Sequence, residues 1–137
     1  MEAEDAEIND CNCVLEDRSG NLWIGTNGNG LLYYNRTTGQ YRKYRHDPAD
    51  PSSISSNIVV CLENDASGNL WIGTYVGGLD CFDGNRFKHY HPQTDSLKDL
   101  SNNSVYSLYA DEAGNLWIGT LGGGMDCLDL KTGEWSH

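Results

Sequence analysis

The 137-residue chain contains no apolar run long enough to cross a bilayer, and no charged-then-apolar leader of the secretory kind. Basic residues are scarce. Nine Lys and Arg stand against 20 Asp and Glu, giving a formal charge of −11 and an isoelectric point of about 4.5. Such a balance repels phosphate backbones and anionic membrane surfaces, which removes nucleic acid and lipid headgroups from the partners to be expected. Neutral glycans and proteins remain. Solvated acidic loops that keep a module soluble account for most of this charge without any partner. Catalytic signatures are missing as well: the chain has no Gly-x-Ser-x-Gly elbow, no His-Glu-x-x-His pair and no phosphate-binding loop. Nor does any segment show a convincing 3.6-residue apolar period, so amphipathic helices are not expected.

What is present is repetition. The heptapeptide Gly-Asn-Leu-Trp-Ile-Gly-Thr occurs unchanged at Gly20 to Thr26, Gly68 to Thr74 and Gly114 to Thr120. The offsets, 68 − 20 = 48 and 114 − 68 = 46, fall in the range of solenoid or propeller repeats. Asp17, Asp65 and Asp111 each precede the first glycine of a heptapeptide by three residues, and Gly30, Gly78 and Gly124 follow it by ten. Tyr41, Phe87 and Trp135 occupy one aromatic position once a two-residue deletion is allowed at Asp83 to Arg86 in the second copy. Upstream, Asn9, Asn57 and Asn103 correspond, as do Cys11, Val59 and Val105. The chain therefore divides into an acidic leader, residues 1–7, and three repeats over 8–137, at about 8–44, 55–90 and 101–137.

Each repeat reads as four short strands bounded by Gly, Asn, Asp, Ser or Pro, as in Ile58 to Glu63, Leu70 to Thr74, Gly78 to Phe82 and Phe87 to Tyr90. The expected fold is all-β. Four antiparallel strands per repeat of this length make a propeller blade, and a β-solenoid would need much shorter coils. The aspartates are expected to be turn formers, each carboxylate accepting backbone N–H bonds of its own loop while the following glycine takes positive φ. One Asp per turn cannot supply the six to eight oxygens that calcium requires. In a strand, Trp23, Trp71 and Trp117 share a face with Gly25, Gly73 and Gly119. A strand-interior glycine marks a close approach, here expected to be the indole of one blade over the glycine of the next. Trp is normally buried with its N–H partnered, which favours this packing role over sugar stacking.

Four of the five cysteines recur at repeat positions, Cys13 with Cys61 and Cys81 with Cys127, on strands of neighbouring blades. Third strands are expected to lie beyond the Cα separation a disulfide allows, which leaves Cys13 and Cys61, if on the innermost strands, as the open pair; all five are expected to be small buried apolar residues, with Cys11 and Cys13 on one strand face. Cys11 with Cys13, and His89 with His91, offer two ligands each, too few for zinc. No metal or cofactor is expected.

The string Asp-x-x-Gly-Asn-Leu-Trp-Ile-Gly-Thr, followed by Gly77-Gly78-Leu79 or Gly123-Gly124-Met125 and preceded by Ser56-Asn57-Ile58-Val59 or Asn102-Asn103-Ser104-Val105, closely resembles the two-component regulator propeller repeat. The resemblance covers about residues 8–137. It implies a propeller, usually seven-bladed, in the periplasmic sensor portion of membrane-spanning hybrid histidine kinases that bind oligosaccharides released from polysaccharides. It also implies a kinase module elsewhere in the parent chain. The third repeat stops at Trp135-Ser136-His137, short of a complete outer strand, and known propellers have at least four blades. The chain thus reads as a piece excised from a longer protein, forming part of a larger propeller or completed by self-association. Two blade faces should be left open, and two chains could close a six-bladed ring.

If strands run from the axis outward, the loop between the second and third strands shares a face with the long loop leading into the next blade. Variable loops on a constant scaffold carry function. The candidates are Asn27 and Asn29 in the first repeat and Tyr75 in the second, together with His46, His91 and Asn103 of the long connections. Tyr75 offers a stacking face and the Asn residues offer amides suited to sugar hydroxyls. Asn57 and Asn103 also fit a structural role, satisfying backbone groups where a strand begins. Three classes of function stay open: a glycan-sensing module, a protein-interaction propeller and a carbohydrate-active enzyme.

Overall fold

The computed structural model describes residues 10–92 and 100–137. The acidic leader, and Asp95 and Asp99 of the second long connection, lie outside the described residues. Twelve strands and no helix make up the described chain, in three four-stranded antiparallel sheets. The first blade holds β1 (Cys11–Glu16), β2 (Leu22–Thr26), β3 (Leu31–Tyr34) and β4 (Tyr41–Tyr44). The second holds β5 (Val59–Asn64), β6 (Leu70–Thr74), β7 (Leu79–Phe82) and β8 (Phe87–Tyr90). The third holds β9 (Val105–Ala110), β10 (Asn115–Thr120), β11 (Gly124–Asp129) and β12 (Trp135–Ser136). Within each blade the strands pair in chain order, as a meander. β1 lies against β5, and β5 against β9, so the first strands of the blades are the inner ones.

The repeated aspartates form the turns. Asp65 Oδ1 accepts the N–H groups of Ser67 and Asn69 at 2.9 and 3.0 Å, and Gly68 takes φ +89°. Asp17 and Asp111 make the same pair of bonds. The second carboxylate oxygen does more than a turn requires. Asp65 Oδ2 accepts the indole N–H of Trp71 at 2.9 Å, and Asp111 Oδ2 that of Trp117 at 2.9 Å. In the first blade Asp17 takes the Tyr33 hydroxyl instead, at 2.5 Å. The Trp117 indole leads the hydrogen bonds that hold the Asp111 carboxyl below its ordinary value.

Between blades, one face packs on the opposite face of the next. Trp23 lies with Leu31, Ile54, Val59, Leu70, Ile72 and Phe82 in one core, and Trp71 with Leu79, Leu100, Val105, Leu116 and Ile118 in the other. The strand glycines are the points of closest approach, and the neighbour there is not the expected indole. A Cβ at Gly25 would come within 2.6 Å of Val59 Cγ1 and 2.5 Å of Cys13 Sγ. At Gly73 it would collide with Cys61 Sγ and come within 2.7 Å of Val105 Cγ1. The inner-strand valine of the following blade fills the glycine notch, because β2 and β6 face the inner strands β5 and β9 directly. The indoles sit further out, Trp23 against Tyr33, Tyr44 and Phe82.

The third blade presents the same face more exposed among the described residues. Trp117 is 37% exposed where Trp71 is 4% exposed, and Tyr109 and Met125 are exposed beside it. The first blade departs from the expectation of a second open face. Val14 is exposed there, but Ile24 and Leu32 are buried.

A β-bulge between Cys11 and Cys13 sends these residues to opposite faces, Cys11 opposite Thr26 and Cys13 opposite Gly25, in place of the shared face expected. Cys11 is exposed and the other four cysteines are half-buried, which corrects the expectation of five buried thiols. Burial pushes the Cys13 thiol up to about 11 and the Cys61 thiol up to about 12, so neither is a nucleophile near neutral pH.

Replacing Gly73 by Val forces two side-chain branches into the Cys61–Val105 contact. The expected cost is about 1–3 kcal/mol, the usual range for an overpacked core. Chemical denaturation checks this, and an unchanged midpoint would overturn the valine-in-notch packing.

Candidate functional site on the axial face

The threonine ending each second strand is tied into its own hairpin, Thr26 Oγ1 donating to the Gly30 carbonyl and Thr74 Oγ1 to that of Gly78, both at 2.7 Å. The next blade grips the same hairpin from outside. The Asn57 carbonyl accepts N–H bonds from Gly28 and Gly30 at 3.0 and 2.8 Å, and the Asn103 carbonyl one from Gly78 at 2.7 Å. Asn57 Oδ1 also accepts the His46 N–H at 2.7 Å, a backbone group of the long connection and not of the strand entry expected from the sequence. With both ends fixed, the residue after each threonine is held at the rim of the inner strands.

The bulges supply the rest. Asn12, Val60 and Tyr106 stand at equivalent bulge positions of β1, β5 and β9, with offsets 60 − 12 = 48 and 106 − 60 = 46. Extra residues of this kind drop out of the ladder and are re-aimed. Asn12, Val60 and Tyr106 line a cavity of about 440 Å³ together with Asn27, Ile58 and Tyr75. No lining residue carries a charge. Tyr75 and Tyr106 are both exposed, and Asn12 Nδ2 is anchored to the Val59 carbonyl at 3.0 Å.

Of the residues singled out in the sequence, the structure brings Asn27 and Tyr75 together here and leaves the others outside. Asn29 accepts a bond from Arg45 at 3.4 Å. The His46 ring Nδ1 meets the Ile54 carbonyl at 2.8 Å, so this ring braces its own loop. His91 is exposed, with its ring centre 6.1 Å from that of His89, and Asn103 is exposed with its carbonyl on Gly78. Tyr106 and Asn12 were missed. A bulge breaks the alternation by which faces are counted, and only their variation at a constant repeat offset could have drawn attention to them.

Beside Tyr75, Val76 has φ +70°, where the equivalent Gly28 and Gly122 have +121° and +84°. A β-branched residue is strained in this region, and such strain concentrates at functional loops. The Val76 N–H is held by Ser104 Oγ of the next blade at 3.1 Å.

A second polar cluster, also unforeseen, contains catalytic residue types in a non-catalytic arrangement. Asp80, fully buried, accepts the Ser55 N–H at 2.8 Å and the Ser55 hydroxyl at 2.6 Å. The His89 Nδ1 lies 2.7 Å from both Asp80 Oδ1 and Ser55 Oγ, and its Nε2 lies 2.8 Å from the Pro51 carbonyl. A hydrolase triad needs the serine on one ring nitrogen and the carboxylate on the other. Here both share Nδ1, while Nε2 donates to a carbonyl. The cluster clasps the long connection onto β7 and β8. It recurs in the third blade as Asp126, Ser101 and His137. Leu32 and Lys43 replace its acid and base in the first blade, at the register Asp80 and His89 occupy in the second.

The chain matches the two component regulator propeller family at residues 7–28, 53–76 and 99–122. It belongs to that family. Among solved structures it is similar to the extracellular domain of what is described as a hybrid two component system, BT3049 from B. thetaiotaomicron. The two are 29% identical, with a TM-score of 0.82, over 94% of this chain and 18% of that one. Two structures of the extracellular domain of BT4673 from the same organism match at 24% identity over 92% and 93% of this chain, with TM-scores of 0.73 and 0.75, and show the fold alone. The chain spans 18% of the length of each of these proteins. No curated protein is significantly similar to it.

Both His89 ring nitrogens face acceptors, so the protonated ring fits the clasp. Burial opposes its charge, but the Asp80 hydrogen bond, the Asp80 charge and the Pro51 carbonyl outweigh burial and raise the His89 value above 6.5. The clasp therefore contributes fully below pH 6.5, the value for an unperturbed ring, and loses that contribution as pH rises through the folded-state value. The stability difference between the wild type and His89→Gln is expected to be largest below pH 6.5 and to shrink under alkaline conditions. A difference constant with pH contradicts the clasp.

Proposed function

We propose that this chain is a non-catalytic, ligand-sensing part of a two-component receptor, that it lies in the periplasm, and that it binds a neutral oligosaccharide on the axial face. The observation that carries this reading is the uncharged cavity. In a chain of formal charge −11, the rim formed by Asn12, Asn27, Tyr75 and Tyr106 presents two exposed phenol faces and two amides with no carboxylate among them. Aromatic faces stack on the apolar faces of sugar rings, and amides both donate to and accept from hydroxyls. The membership of the family, and the extracellular placement of the BT3049 domain in a hybrid two component system, support a sensor whose signal passes to a kinase module in the parent protein.

The test uses the whole extracytoplasmic region encoded by the parent gene, since a cavity at the axis is bounded by every blade of the ring. Calorimetric titration with a panel of neutral oligosaccharides is expected to find a binder. Tyr75→Ala is expected to weaken it about tenfold, the loss of one aromatic contact of about 1.4 kcal/mol, without lowering the melting temperature. Binding unaffected by Tyr75→Ala, or no binding across the panel, would defeat the proposal. A reading frame without a membrane span and kinase sequences would favour a secreted scaffold instead.

A further inference from the structure

The clasp of Asp80, Ser55 and His89 shares a segment of chain with the axial rim. Ser55 is its member from the long connection, held by Asp80 through both its N–H and its hydroxyl. Residues 55–58 then run along the hairpin that carries Tyr75. The Ser56 hydroxyl donates to the Tyr75 carbonyl at 3.4 Å, and the Tyr75 N–H donates to the Ile58 carbonyl at 3.1 Å. Ile58 also bridges to Asn27, so one short segment touches both rim residues read from the sequence. A Cβ added at Gly77 would come within 2.8 Å of Ser56 Cβ and 3.2 Å of the Ser55 carbonyl, which leaves no room for a side chain between segment and hairpin. Gly123 meets Ser101 and Asn102 in the same manner, each at 3.1 Å, where Asp126 holds Ser101. In the first blade, which has Leu32 and Lys43 at the clasp positions, the equivalent of Gly77 is Asn29, since 77 − 48 = 29. Glycine and clasp occur together.

No residue lining the axial cavity carries a charge, so the clasp supplies the titratable group that acts on it. Protonated, His89 donates from Nδ1 to Asp80 Oδ1 at 2.7 Å and from Nε2 to the Pro51 carbonyl at 2.8 Å. A neutral ring has one N–H, which leaves either Asp80 or Pro51 facing a lone pair. Asp80 faces His89 from β7, the Ser55 hydroxyl and the Pro51 carbonyl face it from the connection, and the His91 ring centre stands 6.1 Å away beyond β8. The hairpin under control is strained. Val76, at φ +70°, is held by Ser104 Oγ on one side while Ser56 and Ile58 hold Tyr75 on the other. We infer that the clasp positions Tyr75: proton binding at His89 orders hairpin 75–78 and strengthens oligosaccharide binding at the rim. The effect on affinity rests on the function proposed above, whereas the ordering of the hairpin does not. His89 is a positioning residue, acting through Ser55 and Ser56 on the Tyr75 backbone, and it does not itself line the cavity. By reciprocity, the bound oligosaccharide strengthens proton binding at His89.

Amide hydrogen exchange of the whole extracytoplasmic region, read at residues 75–78, tests the ordering without a ligand. Protection, taken relative to an unstructured peptide at the same pH, is expected to be highest below pH 6.5 and to fall about fivefold or more as pH rises through the His89 value. Hairpin 35–40, at the other end of β3, is the local control and is expected to stay unchanged. His89→Gln, which retains His46 and His91, is expected to show the lower protection at residues 75–78 at every pH. For an oligosaccharide from the panel, Kd is expected to rise by a similar factor over the same range in the wild type and to stay flat in His89→Gln. Wild-type protection flat with pH, a profile that His89→Gln leaves intact, or a wild-type Kd flat with pH would each overturn the inference. Protection that follows His89 with no binder in the panel would uphold the ordering and defeat the oligosaccharide reading alone.

Discussion

The structure depends on a missing side chain. At Gly25 and Gly73 the second strand of one blade lets the inner-strand valine of the next blade reach the backbone, and both valines belong to the two inter-blade cores. With the inner strands held close, the Trp residues bridge the wider outer part of each gap, their N–H groups satisfied by turn aspartates in the second and third blades. This accounts for the unchanged heptapeptide. Its leucine and isoleucine fill one face, its tryptophan and glycine shape the other, and its threonine locks the hairpin that follows.

The same packing explains where variation is tolerated. With Thr26, Thr74 and Thr120 tied to their hairpins, and the next blade gripping the glycines beyond the first two, the following residues, Asn27, Tyr75 and Leu121, are exposed. The bulge residues Asn12, Val60 and Tyr106 share that freedom. Constant residues make the interface between blades and variable ones make the rim.

Much of this was legible in the sequence. Exact repetition placed the blades, the short apolar runs placed the strands to within a residue, and the Asp-to-Gly spacing placed the turns. Strand alternation correctly put Trp71 and Gly73 on one face, but it could not say which element of the next blade would meet that face. The answer, Val105, depends on how far the inner strands of neighbouring blades lie apart. Alternation failed outright at the bulges, where Asn12 turned Cys11 away from Cys13 and, in β9, Tyr106 came to line the cavity with Tyr75. The clasp of Asp80, Ser55 and His89 escaped because its members are 25 and 34 residues apart and the first repeat carries Leu32 and Lys43 in place of its acid and base. Half of the proposed site was therefore readable from where the repeat stops repeating. The other half needed the backbone.

The claim on which the account stands is that the glycine notch exists to admit the next blade's valine. A double-mutant cycle on Gly25→Ala and Val59→Ala measures it directly by denaturant unfolding. Each single change should destabilise, one by crowding the notch and the other by emptying it. The pair should cost less than the sum by about 0.5–3 kcal/mol, the range for residues in contact. Strict additivity would mean that glycine and valine do not share the space, and would contradict the packing described.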